Sequence, residues 1–365
     1  MSDTYLFFGS FRELVNPGIM SSWVTAIVIS FLVIKTDRLH GKHSHDTTVG
    51  PQKFHTIATP RVGGVAIFIA LFIATLFTSQ ESAQLLKPML IASLPAFAAG
   101  LTEDLTKRIS PRIRLMATFV SAIMAWGFTG YTLNHIDIGG VNILSLSLPL
   151  SVAFTAFAVA GVAHSINMID GFNGLAGGTV MISFVALGII SRQVGDLQLA
   201  QLCVTLAIVL SGFMLFNFPF GKLFMGDGGA YLLGFLLGWV AMMLPMRNPQ
   251  VSVWASLLIC AYPVNEVLFT IGRRILSNTN FDTADCSHLH SLIKIKIVRP
   301  LFGHLSQHYR SSLVSPFCWS YGILLSAAAI LLYDRSELLI AAWVVSFLLY
   351  VVIYKYLSSI RIPEK

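Results

Sequence analysis

Charge is what this chain has least of. Only 11% of its 365 residues are Asp, Glu, Lys or Arg, while 55% are hydrophobic and mean hydropathy is +0.74. A soluble fold of this size could not shield so much apolar surface with so few charges. Disordered chains and nucleic-acid-binding domains need far more charge and are excluded. Cysteine is equally scarce. Cys203, Cys260, Cys286 and Cys318 show no framework spacing, which excludes a secreted disulfide scaffold. The first residues, MSDTYLFFGSFREL, lack a basic region and a small-residue cleavage site, so no cleavable signal peptide is expected. Long apolar runs remain. We read an all-α integral membrane protein forming one polytopic domain over residues 1–365.

A membrane helix needs roughly 20 apolar residues. About eleven segments qualify by that rule, near 18–36, 62–79, 86–102, 114–131, 149–166, 174–191, 198–217, 228–246, 251–271, 316–333 and 338–357. Pro95 interrupts the third, and Pro263 and Glu266 lie in the ninth. Of the 24 basic residues, only Arg12, Lys87, Arg192, Arg247 and Arg335 fall in the N-terminal segment and the even connections. The positive-inside rule therefore places the N-terminus outside and the C-terminus in the cytoplasm. Residues 132–147 alternate with period two around Gly139-Gly140, which predicts a small outer β-hairpin. The longest inner loop, 273–316, contains Ile293-Lys294-Ile295-Lys296-Ile297, which alternates like a short strand.

The 17 acidic residues are informative by position. Glu103-Asp104 ends the third span, Asp170 lies between the fifth and sixth, and Asp227 just precedes the eighth. All fall on the cytoplasmic side by the charge pattern. Acids at helix ends are often merely solvated caps. Three on one face, two within Gly-rich loops, point instead to a shared site for phosphate chemistry. Carboxylates bind Mg2+, and Gly-rich turns opening helices offer backbone N–H groups to anions. The alternative reading of the glycines is close helix packing. It accounts well for Gly177 and Gly178 and poorly for Gly226-Asp227-Gly228-Gly229. Gly171 precedes the sixth span in the same way. Lys107, Arg108, Arg112 and Arg114 are explicable as a positive-inside cluster, but Lys107 and Arg112 stand nearest the carboxylates and are candidates for an anionic headgroup. His288 and His290 suit a pyrophosphate. With Cys286 they also suggest zinc, but no fourth ligand of suitable spacing follows.

Six stretches together resemble the polyprenyl-phosphate N-acetylhexosamine-1-phosphate transferases, relatives of the peptidoglycan lipid-intermediate translocase. They are ATPRVGG at 58–64, GLTEDLTKR at 100–108, NMIDGFNGLAGG at 167–178, FNFPFGKLFMGDGGAYLLG at 216–234, PVNEVLFTIGRR at 263–274 and SHLHSL at 287–292. The resemblance implies that Glu103-Asp104 is the acidic pair and that Asn167 and Asp170 form the Asn-x-x-Asp motif. It implies that Asn217 and Phe224 hold and stack the uracil, that Asp227 binds Mg2+, and that His288 and His290 face the donor's pyrophosphate and sugar. Three positions depart from the family pattern: Glu103 replaces Asp, Asn173 replaces the second acid near the nucleotide, and Ser291 replaces a further His. These departures suit the O-antigen branch more than the peptidoglycan branch.

The reaction expected is transfer of an N-acetyl-aminosugar-1-phosphate from a UDP-sugar to undecaprenyl phosphate in the bacterial inner membrane, with Mg2+ (Mn2+ as substitute). Catalytic roles are expected of Glu103, Asp104, Asp170, His288 and His290. Substrate contacts are expected of Lys107, Arg112, Asn167, Gly171, Asn173, Asn217 and Phe224, and metal contacts of Asp227 and Asp170. A homodimer is a family-level expectation. The competing reading is a transporter of an anionic solute or lipid, to which the intramembrane Glu266 and the broken helices would belong.

Overall fold

The computed structural model describes residues 17–44, 59–77, 80–138, 141–278 and 287–360. The chain runs through α1 (Pro17–Lys35), α2 (Asp37–Ser44), α3 (Gly63–Phe77), α4 (Gln80–Ala92), α5 (Leu94–Thr106) and α6 (Pro111–Thr129). Strands β1 (His135–Ile138) and β2 (Val141–Ser145) follow, then α7 (Leu148–Ile169), α8 (Leu175–Gln193), α9 (Leu197–Asn217) and α10 (Gly226–Arg247). The remainder is α11 (Val253–Ile259), α12 (Ala261–Leu276), α13 (Leu289–Ile293), a π-helical turn (Lys294–Val298), α14 (Arg299–Leu301), α15 (Gln307–Ser312), α16 (Val314–Leu331) and α17 (Ser336–Ser359).

Among the described residues every segment expected to span is largely helical, but eleven spans is not the count that length and apolarity give. Among the described residues seven helices are long and apolar enough to cross a membrane, or nine if each bent pair is one span. Helix α3 has only 15 residues, and α6 opens on Pro111-Arg112-Ile113-Arg114, which lowers its apolarity. The bent pairs are α4–α5, at 49°, and α11–α12, at 79°. The first breaks at Ser93, and Pro95 falls in the first turn of α5, where its missing N–H costs no helical bond. Large apolar side chains such as Phe157, Leu324, Leu348 and Val352 are exposed on the outer helices. The chain is a multi-pass membrane protein whose rim faces lipid.

Strands β1 and β2 pair antiparallel, with His135 opposite Ser145 and Ile138 opposite Val141. Gly139-Gly140 between them lies outside the described residues, as do residues 1–16, Ala58 and Cys286.

Helix α10 is the axis of the fold and is almost wholly buried. It packs against α7, α5, α3 and α8. Glycines permit the closest of these approaches: a Cβ at Gly234 would stand 2.6 Å from the Ala163 Cα, and one at Gly238 3.1 Å from the Val159 Cα. Membrane helices gain little from burying apolar surface against each other, so such backbone contact supplies the packing energy.

Candidate active site

The site is assembled around the N-terminus of α10. The loop before it is lashed to the segment before α3 by backbone bonds: Phe224 N–H to the Pro60 carbonyl, Gly63 N–H to that of Phe224, and Gly64 N–H to that of Met225, each at 2.9 Å. Gly226 then turns the chain at φ +73°, a conformation that only glycine adopts without strain. Two backbone N–H groups of the new helix, those of Asp227 and Gly228, donate to the two oxygens of Asp104, both at 2.9 Å. A buried carboxylate thus caps the helix at its positive end.

This corrects the reading of the glycines. Gly226, Gly228 and Gly229 are not there to open the backbone to a pyrophosphate, because Asp104 already occupies that helix end. They let three backbones meet: a Cβ at Gly229 would stand 2.9 Å from the Gly64 Cα, one at Gly228 3.1 Å from the Leu101 N, and one at Gly226 would collide with the Arg61 carbonyl. Close packing explains them as well as it explains Gly177 and Gly178, whose added Cβ atoms would strike Met214 and Trp319.

Asp227 itself stands among cations and an amide. Arg61 Nη2 lies 3.3 Å from its Oδ1 and 3.5 Å from Asp104 Oδ1. Arg114 makes a close ion pair with its Oδ2, and Asn167 donates to Oδ1 at 2.9 Å. Asn167 is in the last turn of α7. Asp170 follows as the C-cap, near enough for its charge to act on Asp104.

The loop after α7 is held from both sides. Gly174 N–H donates to Asn217 Oδ1 at 2.7 Å, and Asn217 Nδ2 donates to the Leu223 carbonyl at 2.8 Å. The Asn217 amide therefore joins the two Gly-rich loops to each other. Asn173 is buried and faces α15 and α16: its Nδ2 donates to Ser312 Oγ at 3.0 Å, and its carbonyl accepts from Ser315 Oγ at 2.6 Å. Phe224 is half-buried beside this seam.

The histidines reach the site from the other side. The segment read as a strand is instead helical, α13 running into the π-helical turn. His288 precedes α13 and His290 lies in its first turn, with their rings stacked at 5.2 Å. A Cβ added at Gly171 would stand 3.8 Å from His290 Nε2, so this imidazole abuts the Asn167–Asp170 loop. Both histidines turn Nδ1 toward Glu266, fully buried on α12 just past the 79° bend. Glu266 Oε1 is 3.1 Å from His288 Nδ1 and also accepts from Leu289 N–H at 3.1 Å, while Oε2 lies 3.7 Å from His290 Nδ1. Glu266 therefore anchors the His288 imidazole and lies within charge range of His290. Holding one ring nitrogen fixes which nitrogen faces the substrate.

The other expected residues lie at the edge. Glu103 Oε2 accepts from Ile109 N–H at 2.6 Å, closing the turn after α5. Lys107 ends α5 at φ 57°, and its ammonium bonds the Asp104 carbonyl at 2.6 Å. Arg112 is exposed. Arg61, Arg114 and Glu266 are the site residues that sequence reading did not select.

Among the described residues, no group of three His, Cys, Asp or Glu side chains is placed to hold a metal ion. Asp227 offers a single carboxylate, 13% exposed. Both its oxygens are engaged, Oδ1 by Arg61 and Asn167 and Oδ2 by Arg114. A Mg2+ ion, which is held by one or two carboxylates together with substrate phosphates, would have to share this carboxylate with them.

Residues 86–245 match glycosyl transferase family 4. The undecaprenyl-phosphate alpha-N-acetylglucosaminyl 1-phosphate transferase of Yersinia pestis is 28% identical over 247 residues, 66% of this chain and 67% of that protein. A probable undecaprenyl-phosphate N-acetylglucosaminyl 1-phosphate transferase of Bacillus subtilis (strain 168) is 25% identical over 244 residues, 66% of each chain. The phospho-N-acetylmuramoyl-pentapeptide-transferase of Clostridium perfringens (strain ATCC 13124) is 30% identical over 300 residues, 76% of this chain and 89% of that protein. The chain thus spans about two thirds of the length of the first two relatives and most of the third.

Proposed function

The chain belongs to glycosyl transferase family 4, and on that premise we propose that it transfers an N-acetyl-aminosugar-1-phosphate from a UDP-sugar to undecaprenyl phosphate, starting a lipid-linked surface glycan of the O-antigen type. The observation that carries this reading is the convergence of Asp227, Arg61, Arg114, Asn167 and the Glu266-held histidines from five separate parts of the chain. Arg114 pairs with Asp227, Arg61 reaches both Asp227 and Asp104, and Asn167 donates to Asp227, with His290 beside the next loop.

In this mechanism an oxygen of the lipid phosphate attacks the donor's β-phosphorus. The bond to the bridging oxygen breaks and UMP leaves. Arg61 and Arg114 receive the pyrophosphate, and fixed cations where charge develops are worth most in such transfers. His290 and His288, locked by Glu266, present their outer nitrogens to the donor. Asp104 acts through Asp227 by fixing the start of α10. Asp227, with Asp170, would hold Mg2+ or Mn2+, which supplies charge neutralisation at the pyrophosphate. The site faces the cytoplasm of the inner membrane, where UDP-sugars are made.

The test is a panel of UDP-sugars with undecaprenyl phosphate and Mg2+, using purified protein in detergent. Lipid-linked product and UMP from an N-acetyl-aminosugar donor are expected. Product only from the muramoyl-pentapeptide donor would move the chain to the branch of its Clostridium relative. No turnover with any donor, with solute uptake in proteoliposomes, would favour the transporter. A cysteine at Ser110 should react only with reagents applied from the cytoplasm; labelling from outside would reverse the orientation.

A further inference from the structure

Between Asp285 and Asp334 the sequence contains no Asp or Glu, yet it holds Lys294, Lys296, Arg299 and Arg310. Three of these cations converge. Lys294, Arg299 and Arg310, with Gln307 and Ile295, line a cavity of about 310 Å3 between the π-helical turn, α14 and α15. Among the described residues no acidic side chain lines it.

A positive-inside cluster would leave all its charges in water, whereas here Lys294 is buried and Arg310 half-buried, with Arg299 at the exposed rim. Lys294 is buried, bonds Ser311 Oγ at 2.8 Å and lies 5.0 Å over the Phe172 ring. Burial, and then the charge of Arg310, bring its ammonium down to about 7. Arg310 Nε is buried without a hydrogen-bond partner. Cations gathered around a cavity repel one another and lose hydration, a cost that an anion entering the cavity would offset. Guanidinium groups suit phosphate by charge and by paired N–H geometry.

We propose that this cavity, formed by Lys294, Arg299, Gln307 and Arg310, is a phosphate-binding site lined by none of the residues that surround Asp227. Its ligand is a phosphate group carried by an anionic phospholipid or free in solution. Basic pockets beside membrane helices bind anionic headgroups in this way.

The full chain should be purified in neutral detergent, with inorganic phosphate against chloride at equal ionic strength, and also in nanodiscs of phosphatidylcholine with and without phosphatidylglycerol. Thermal midpoints and ligand titrations are read for the wild type, Arg299→Gln, Arg310→Gln and Arg108→Gln. A rise in midpoint only with phosphatidylglycerol identifies a lipid headgroup, and a rise with inorganic phosphate identifies the free anion. In either case Arg299→Gln and Arg310→Gln should each weaken the response about tenfold. Their ligand-free midpoints should hold or rise, because a repelling cation has gone. Arg299 is exposed, so its variant keeps the test open if Arg310→Gln does not fold. Arg108, an exposed cation outside the cavity, should behave as wild type. No response to either anion, or responses unchanged in both cavity variants, would overturn the proposal. So would an equal loss in Arg108→Gln.

Discussion

The two ends of α10 carry opposite kinds of ion pairing. The helix has 22 residues and so is about 33 Å long. At its C-terminal end Arg247 is gripped by Asp196 through Nε at 2.7 Å and Nη2 at 3.0 Å, by Gln198 at 3.0 Å and by the Tyr131 hydroxyl at 3.1 Å. Asn248 completes the cluster with a 3.1 Å bond to Asp196. One cation meets one anion in paired geometry, with the cation at the helix end that favours it. At the N-terminal end one carboxylate faces two guanidinium groups, one of them at 3.3 Å, with a second carboxylate behind and a third nearby. The first cluster is one bidentate pair, whereas in the second Arg61 is shared between Asp227 and Asp104. Ion pairing at a helix end is thus a clamp where one cation meets one anion and a candidate site where several charged groups from separate segments share partners.

The largest expected effect tests the N-terminal end. Asp227→Asn should lower kcat about 10³-fold, on the scale seen when a single preorganised electrostatic group is removed, and should raise the Mg2+ needed for any remainder. Near-normal turnover at low Mg2+ would make the two ends equivalent. Glu266→Gln keeps a hydrogen-bond acceptor but not the charge. It should lower kcat about 10–100-fold, the usual cost of losing a partner that orients a functional histidine. KM should change less, and a KM effect alone would place Glu266 outside catalysis.

The C-terminal end should fail differently. Asp196→Ala should cost about 1.5–3 kcal/mol of stability, the worth of charged hydrogen bonds, while turnover per folded molecule stays unchanged. A pH scan sharpens this. Burial pushes the Asp196 carboxyl up, but the bonds from Arg247, Leu199 N–H and Asn248 outweigh it and hold the group below the ordinary carboxylate value. Its contribution is therefore complete above the unfolded value of about 4 and fades as pH falls further. The gap in thermal midpoint between wild type and Asp196→Ala should stay constant from neutral pH down to about 4 and then narrow. The smallest effect is expected at Glu103→Gln. Its side chain closes a turn by accepting a backbone N–H, which Gln also does, so turnover should stay within about threefold. A large loss would return Glu103 to the chemistry.

Apolar runs register directly in composition, so the segments that are helical here are legible in the sequence. Asp227, Asn167 and the histidines are instead singled out by stretches resembling a family, and the structure joins Asn167 to Asp227 and both histidines to Glu266. Sequence reading missed Arg61 and Arg114 for a physical reason. Basic residues near a membrane surface already have an explanation in orientation, so nothing local distinguishes the two that turn inward. Glu266 is the opposite case: the sequence shows an acid inside an apolar segment, and only the 79° bend shows that it meets His288. The glycines at 226–229 were read by their neighbours in sequence, whereas their reason lies in α3 and α5, more than a hundred residues away.

The backbone contact of α3, α5 and α10 has a consequence for how the molecule can change. No layer of side chains separates these helices at Gly64, Gly100, Gly228 and Gly229. The separation of Arg61, Asp104 and Asp227 is consequently gauged by atoms common to every residue, not by rotamers. Loops facing the sugar can then vary in length and composition without resetting that gauge. A single methyl at the seam, as in Gly229→Ala, would press on the Met225 side chain and the Gly64 backbone, and through them on the spacing of α3 and α10.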